Sequence, residues 1–141
     1  MKLSTLMLAD HAEIREGTLA VLSGYINQLQ RDSYPSLLRV YFVAVTEADS
    51  EEIRIGTVNS QFEFWCERRG QTEAILRGSG SVEAHLSGSR GGYFPMVFDL
   101  SLVEVPEPGE YVLWFSIDGL KAGSYTFYAD TAPAMEASGR S

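Results

Sequence analysis

One cysteine stands in the chain, Cys66, so no intramolecular disulfide can form and nothing asks for an oxidising compartment. A cytoplasmic location is the default expectation. Histidine is almost as scarce: only His11 and His85 are present, which deprives zinc-type sites and Ser–His or Cys–His pairs of their usual partner. Basic residues are outnumbered 11 to 19 by acidic ones, and the net charge of -8 sets the chain against the phosphate backbone of duplex nucleic acid. Long apolar runs are missing as well. The stretch 1–9 is cut short by Asp10 and His11 without the small-residue cleavage pattern of a leader, so it reads as a strand, and no membrane partner is expected. Helical periodicity is equally hard to find.

What the chain does have is 45% hydrophobic and 11% aromatic residues, enough for a core and too many for a disordered polymer. They come in short alternating runs punctuated by Gly, Pro, Asp and Asn, the pattern of an all-β protein. Runs at 3–9 and 18–25 flank a polar link, and residues 37–46 make the strongest run, expected to be one central strand. Ile53, Ile55 and Thr57 alternate as a half-buried strand would, and 59–60 supply a link onward. In 61–67 the period of two sends Phe62, Phe64 and Cys66 to one face and Trp65 to the other. Residues 68–92 hold six glycines and read as a loose hairpin of two weak strands, 72–76 and 81–86. A long strand from Phe94 through Leu102 is expected to end before Pro106, a further one runs from Tyr111 to the Asp118-Gly119 hairpin signal, and the last covers 124–130.

Eight or nine such strands leave apolar faces wet in one flat sheet, so the expected fold is a two-layer antiparallel β-sandwich, with an immunoglobulin-like order among the options. One domain, 1–130, is followed by a small polar tail, 131–141, expected to hang free. The core should draw on Leu38, Val40, Phe42, Phe62, Phe64, Phe98, Leu100, Tyr111, Leu113, Phe115 and Phe127, each stabilising by about 1.5–3 kcal/mol when fully buried.

Three stretches carry a resemblance: the opening strand ending in Ala9-Asp10; the run from Gly17 to Tyr25 followed by Pro35; and Pro108-Gly109-Glu110-Tyr111 through Ile117-Asp118-Gly119. Together they resemble a family of short bacterial proteins known as a domain of unknown function. The resemblance implies a small β-sandwich and brings no activity, cofactor or catalytic residue with it.

The residues that do invite chemistry have plainer readings. Asp10, His11 and Glu13 are close in sequence, yet adjacent extended residues face opposite ways, so a polar turn is expected and no metal. The acidic stretch 47–52 lacks the glycine and spacing of a calcium loop and reads as a solvated turn. No Gly-x-Ser-x-Gly arrangement is present, and Cys66, in phase with Phe62 and Phe64, reads as a buried inert thiol. Segments 77–81 and 87–92 have the composition of anion-cradling loops but no helix to follow, and read as turns. Neither a catalytic residue nor a cofactor is expected.

The informative feature is the outward phase. Tyr41, Trp65, Trp114 and Tyr128 alternate out of step with their core neighbours and should point away from the interior. If the strands of Tyr41, Trp114 and Tyr128 are neighbours, their rings form one patch. The expectation is a non-enzymatic interaction module that self-associates or binds a protein through this aromatic face. A carbohydrate-binding module, marked by a groove with polar groups beside the rings, and a small hydrolase are the alternatives.

Overall fold

The computed structural model describes residues 1–87 and 91–133. Alternation and turn chemistry set the elements. β1 (Lys2–Arg15) and β2 (Thr18–Gly24) form an antiparallel hairpin through Glu16 and Gly17, both at positive φ, as a two-residue turn between right-twisted strands demands. There follow β3 (Gln28–Arg31), β4 (Ser36–Leu37), β5 (Tyr41–Glu47), a short helix α1 (Ser50–Ile55), β6 (Thr57–Arg68) and β7 (Ala74–His85). β8 (Tyr93–Asp99), β9 (Glu104–Val105), β10 (Gly109–Ile117) and β11 (Leu120–Thr131) complete the order. Asp118 and Gly119, at positive φ, join β10 to β11, the hairpin that the sequence announces.

Among the described residues the fold is all-β apart from α1. Its strands make a four-stranded sheet in the order β2-β1-β5-β8, a five-stranded sheet in the order β3-β11-β10-β6-β7, and a small β4-β9 pair. Pairing is antiparallel throughout except that β3 runs parallel to β11. The main core takes Leu6, Leu8, Phe42 and Ala44 from the first sheet and Phe62, Phe64, Leu113, Phe115 and Phe127 from the second. Its aromatic rings touch in sequence: Phe64 lies 5.3 Å from Phe42 and 4.4 Å from Phe98, and Phe62 lies 5.6 Å from Phe115, centroid to centroid. Of the eleven expected core residues only Phe98 stays half-buried. A second buried cluster, Met7, Ala9, Ala12 and Val43, takes in Leu19 from the β1–β2 hairpin and Val45 and Val97 from β5 and β8.

Several local expectations change, the first being that residues 10–15 of the expected polar link continue β1 as strand. Residues 53–55 are helical: Asp49 caps α1 and Glu52 returns the bond to the Asp49 N–H, a capping box, while Gly56 ends the helix in the left-handed region at φ 87°. The 59–60 link lies within β6. Within the glycine-rich stretch the two weak strands expected at 72–76 and 81–86 are one continuous strand, β7, paired with β6 along most of its length. Gly78 suits that strand because the Phe64 ring lies where its Cβ would be. The run 37–46 breaks at Arg39, which sits at φ 57°, leaving β4 and β5 as separate strands. The strand begun at Phe94 stops at Asp99, whose carboxylate accepts from the Ser101 N–H and hydroxyl, and Leu102 beyond it is 83% exposed. Of the segment 131–141, Thr131 ends β11 and the Ala132 N–H donates to Arg31 O. Its residues from 134 on, like 88–90 of the expected anion loop, lie outside the described residues.

Candidate functional site

β6 and β10 are neighbours in the five-stranded sheet, with β7 and β11 on their far sides. Their register sets Trp65 directly opposite Trp114, and alternation puts both indoles on the face turned away from Phe64, Cys66, Leu113 and Phe115. Both are half-buried. The same row continues outward to Arg77 on β7 and Ser124 on β11.

Side chains around the indoles hold them in place. The Trp114 Nε1–H donates to Glu67 Oε1 at 3.1 Å, satisfying the one polar atom of that ring. Lys121, one row away opposite Ser116, places its ammonium 4.2 Å from the centroid of Trp114 and 6.0 Å from that of Trp65. A cation over an indole face at an exposed site contributes about 0.5–1 kcal/mol. Val112, also in outward phase, is only 5% exposed. The rim therefore alternates in sign, with Arg77 and Lys121 against Glu63 and Glu67.

Beside the indoles lies a shallow groove of about 830 Å³ lined by Gln61, Glu63, Ser79, Ser81, Ser116 and Asp118. Its wall is fixed by Asp118, which accepts from the Gln61 N–H at 2.9 Å through its carboxylate while its own N–H donates to Gln61 O at 2.8 Å. Its polar side chains are hydroxyl, carboxamide and carboxylate, beside Phe62, Gly80 and Gly119, with no histidine.

The four expected aromatics do not form one patch. Trp65 and Trp114 are direct cross-strand partners. Tyr128 shares their sheet but stands opposite Glu110, two rows along β11 from Ser124, and is 42% exposed. Tyr41 lies on β5 in the other sheet, among the second cluster, with the His11 ring 4.9 Å away edge-on. The condition that made Tyr41 a neighbour fails because β5 pairs with β1 and β8. Sequence reading missed Lys121 over the rings and Glu67 at the Trp114 Nε1, since both contacts depend on strand pairing.

The residues with catalytic or ligating chemistry are dispersed. His11 contacts Glu13 at 3.4 Å on β1, whereas His85 ends β7 in the five-stranded sheet. Cys66 is buried, and burial together with the Glu67 charge pushes its thiol up to about 12. Asp49 and Glu52, from the acidic stretch, hold the Met1 ammonium, each at 2.5 Å. Among the described residues no three His, Cys, Asp or Glu side chains gather as a metal site, and no helix is long and apolar enough to cross a membrane.

A family model of unknown function, DUF6941, matches residues 4–130. The chain belongs to this family. The match spans the strands of both large sheets, including the two that carry the indoles. No curated protein matches the sequence. Among solved structures, the Pseudomonas fluorescens alkylpurine DNA glycosylase AlkC, bound to DNA containing an abasic site analog, is similar over 89% of this chain at 9% identity with a TM-score of 0.44. This chain spans 30% of that one.

Proposed function

We propose that this member of DUF6941 is a non-enzymatic interaction module that works inside the cell and binds a protein partner across the outward face of its five-stranded sheet. The observation that carries the reading is the direct pairing of Trp65 with Trp114 at the centre of that face. Two adjacent indoles give a large rigid apolar anchor, and a rim of Arg77, Lys121, Glu63 and Glu67 gives the mixed charge that fixes orientation, the usual make-up of a protein interface hot spot. The lone buried thiol suits a reducing compartment.

The scaffold we propose is a two-layer immunoglobulin-like sandwich. Three features support it: two sheets contributing to one core, a parallel pairing of an early strand with the last one, and a buried tyrosine at the start of β10 whose hydroxyl donates to the carbonyl of Glu107 at 2.6 Å.

The test is affinity capture from the source cells with wild type and a Trp65→Ala, Trp114→Ala double variant, using Tyr93→Ala on the other sheet as control. The double variant is expected to lose its partner, each indole costing about 2 kcal/mol or more, roughly thirtyfold in affinity. Equal capture by wild type and double variant refutes the reading. A carbohydrate is the second reading, favoured by the polar groove beside the rings. A tryptophan emission shift with one member of a neutral glycan panel, lost on Trp114→Ala, would favour it over a protein partner.

A further inference from the structure

We infer that the partner engages the indole face through an arginine side chain, which takes the place of Lys121 on Trp114 and pairs with the carboxylates of the adjoining groove. The inference rests on the reading of this face as a protein contact and adds the chemistry of the group received there. Charge is unevenly spread over the face. The groove is lined by two carboxylates, Glu63 and Asp118, with Gln61 and three serines, and by no basic side chain. Every ion pair among the described residues lies elsewhere: along β1, at α1 with Met1, and where Arg68 and Arg69 meet Glu107 and Glu110. Glu63 is exposed and stands outside all of them, and Asp118 spends one carboxylate oxygen on the Gln61 N–H. Farther out on the same face, Glu67 accepts from the Trp114 indole and Glu83 stands opposite Asn59. Two carboxylates without a cation at one groove favour a positive group in it.

Lys121 is a second, independent observation, and it points to the same class of ligand. It shares a row with Glu63, with Ser116 between them, yet its ammonium lies over the Trp114 ring, 4.2 Å from the centroid, and joins no ion pair. The indole pair therefore already holds a cation, supplied by the chain itself. An arginine fits better than that lysine. Its planar guanidinium lies flat on an indole, its fork of donors matches a carboxylate, and its stem covers apolar ring surface. Arg77, in the row of the indoles on β7, is the other basic group of the face and sets the limit of the acidic region on that side. Lys121 is then the internal occupant that an incoming arginine displaces.

The chain has two tryptophans, both at this site, so its emission reads the face directly. The test titrates the full chain, at one ionic strength, with blocked hexa-arginine and hexa-glutamate peptides. Hexa-arginine is expected to change the emission saturably, and hexa-glutamate to leave it unchanged. Glu63→Lys is expected to weaken hexa-arginine about tenfold, well beyond Glu13→Lys on β1, which alters the net charge equally. Lys121→Met removes the competing cation and is expected to tighten binding roughly threefold, beyond Lys2→Met, its charge-matched control. The Lys121 arm decides if Glu63→Lys melts early. An unsaturable response, an equal response to hexa-glutamate, a Glu63→Lys effect no larger than that of Glu13→Lys, or a Lys121→Met effect no larger than that of Lys2→Met would each overturn the inference. Affinity capture separates this failure from that of the underlying reading. Capture lost on the indole double variant but unaltered by Glu63→Lys overturns the arginine anchor alone, whereas capture that survives the double variant overturns both.

Discussion

Phe64 and Gly78 face each other across β6 and β7, and a Cβ on Gly78 would fall 2.2 Å from the Phe64 Cζ. Replacing Gly78 with Ala must therefore displace a ring that also packs on Phe42 and Phe98, and a loss of about 1–3 kcal/mol is expected in urea unfolding. Cys66 is the neighbouring inward residue on β6. With its thiol pushed up to about 12 by burial, it is expected to resist a disulfide reagent at mildly alkaline pH in the native state and to react fully once unfolded. The sign follows from the direction: the protonated thiol contributes its full stability below the ordinary thiol range, and that contribution is lost as pH climbs toward 12. Cys66 was legible as an inert core residue from its phase alone. Gly78 was not, because the ring that selects it comes from another strand.

At the level of elements, α1 shows what a local signal can and cannot do. Asp49 and Glu52, three apart, form a capping box that the alternation of Ile53 and Ile55 conceals, and Gly56 supplies the stop. The hydrogen bond from the Met1 ammonium, joined by the Glu52 N–H, holds the Asp49 carboxyl below its ordinary value. Asp49→Asn keeps a good cap and removes the charge. Since the native pKa is depressed, the pair stabilises above the usual aspartate range, about pH 4, and is lost as pH falls through the lower native value. Wild type is therefore expected to exceed the variant in urea unfolding near neutral pH, the difference vanishing in acid. The Asp118-Gly119 hairpin was the most legible element, because both residues accept positive φ, whereas the Glu16-Gly17 hairpin was hidden in what read as a polar link over 10–17. The breaks at Arg39 and Asp99 were not, since each lies inside an apolar run.

For the molecule as a whole, alternation was enough to give an all-β fold and ten of eleven core residues buried, because burial in a sheet follows a period of two. Which strands lie side by side does not follow from that period. Trp65 and Trp114 both read as outward, yet their meeting across β6 and β10, and the separation of Tyr41, came only with the pairing. The indole face is visible in the sequence as out-of-phase aromatics, whereas its neighbours Lys121 and Glu67 follow only from the strand order.

The parallel ladder between β3 and β11 joins residues 28–31 to residues 128–131, about a hundred positions apart. During vectorial synthesis the early strand must therefore wait on the ribosome, its parallel neighbour still untranslated, and the five-stranded sheet closes only when nearly all of the chain has emerged. Such distant closure places the folding rate toward the millisecond-to-second regime of all-β domains.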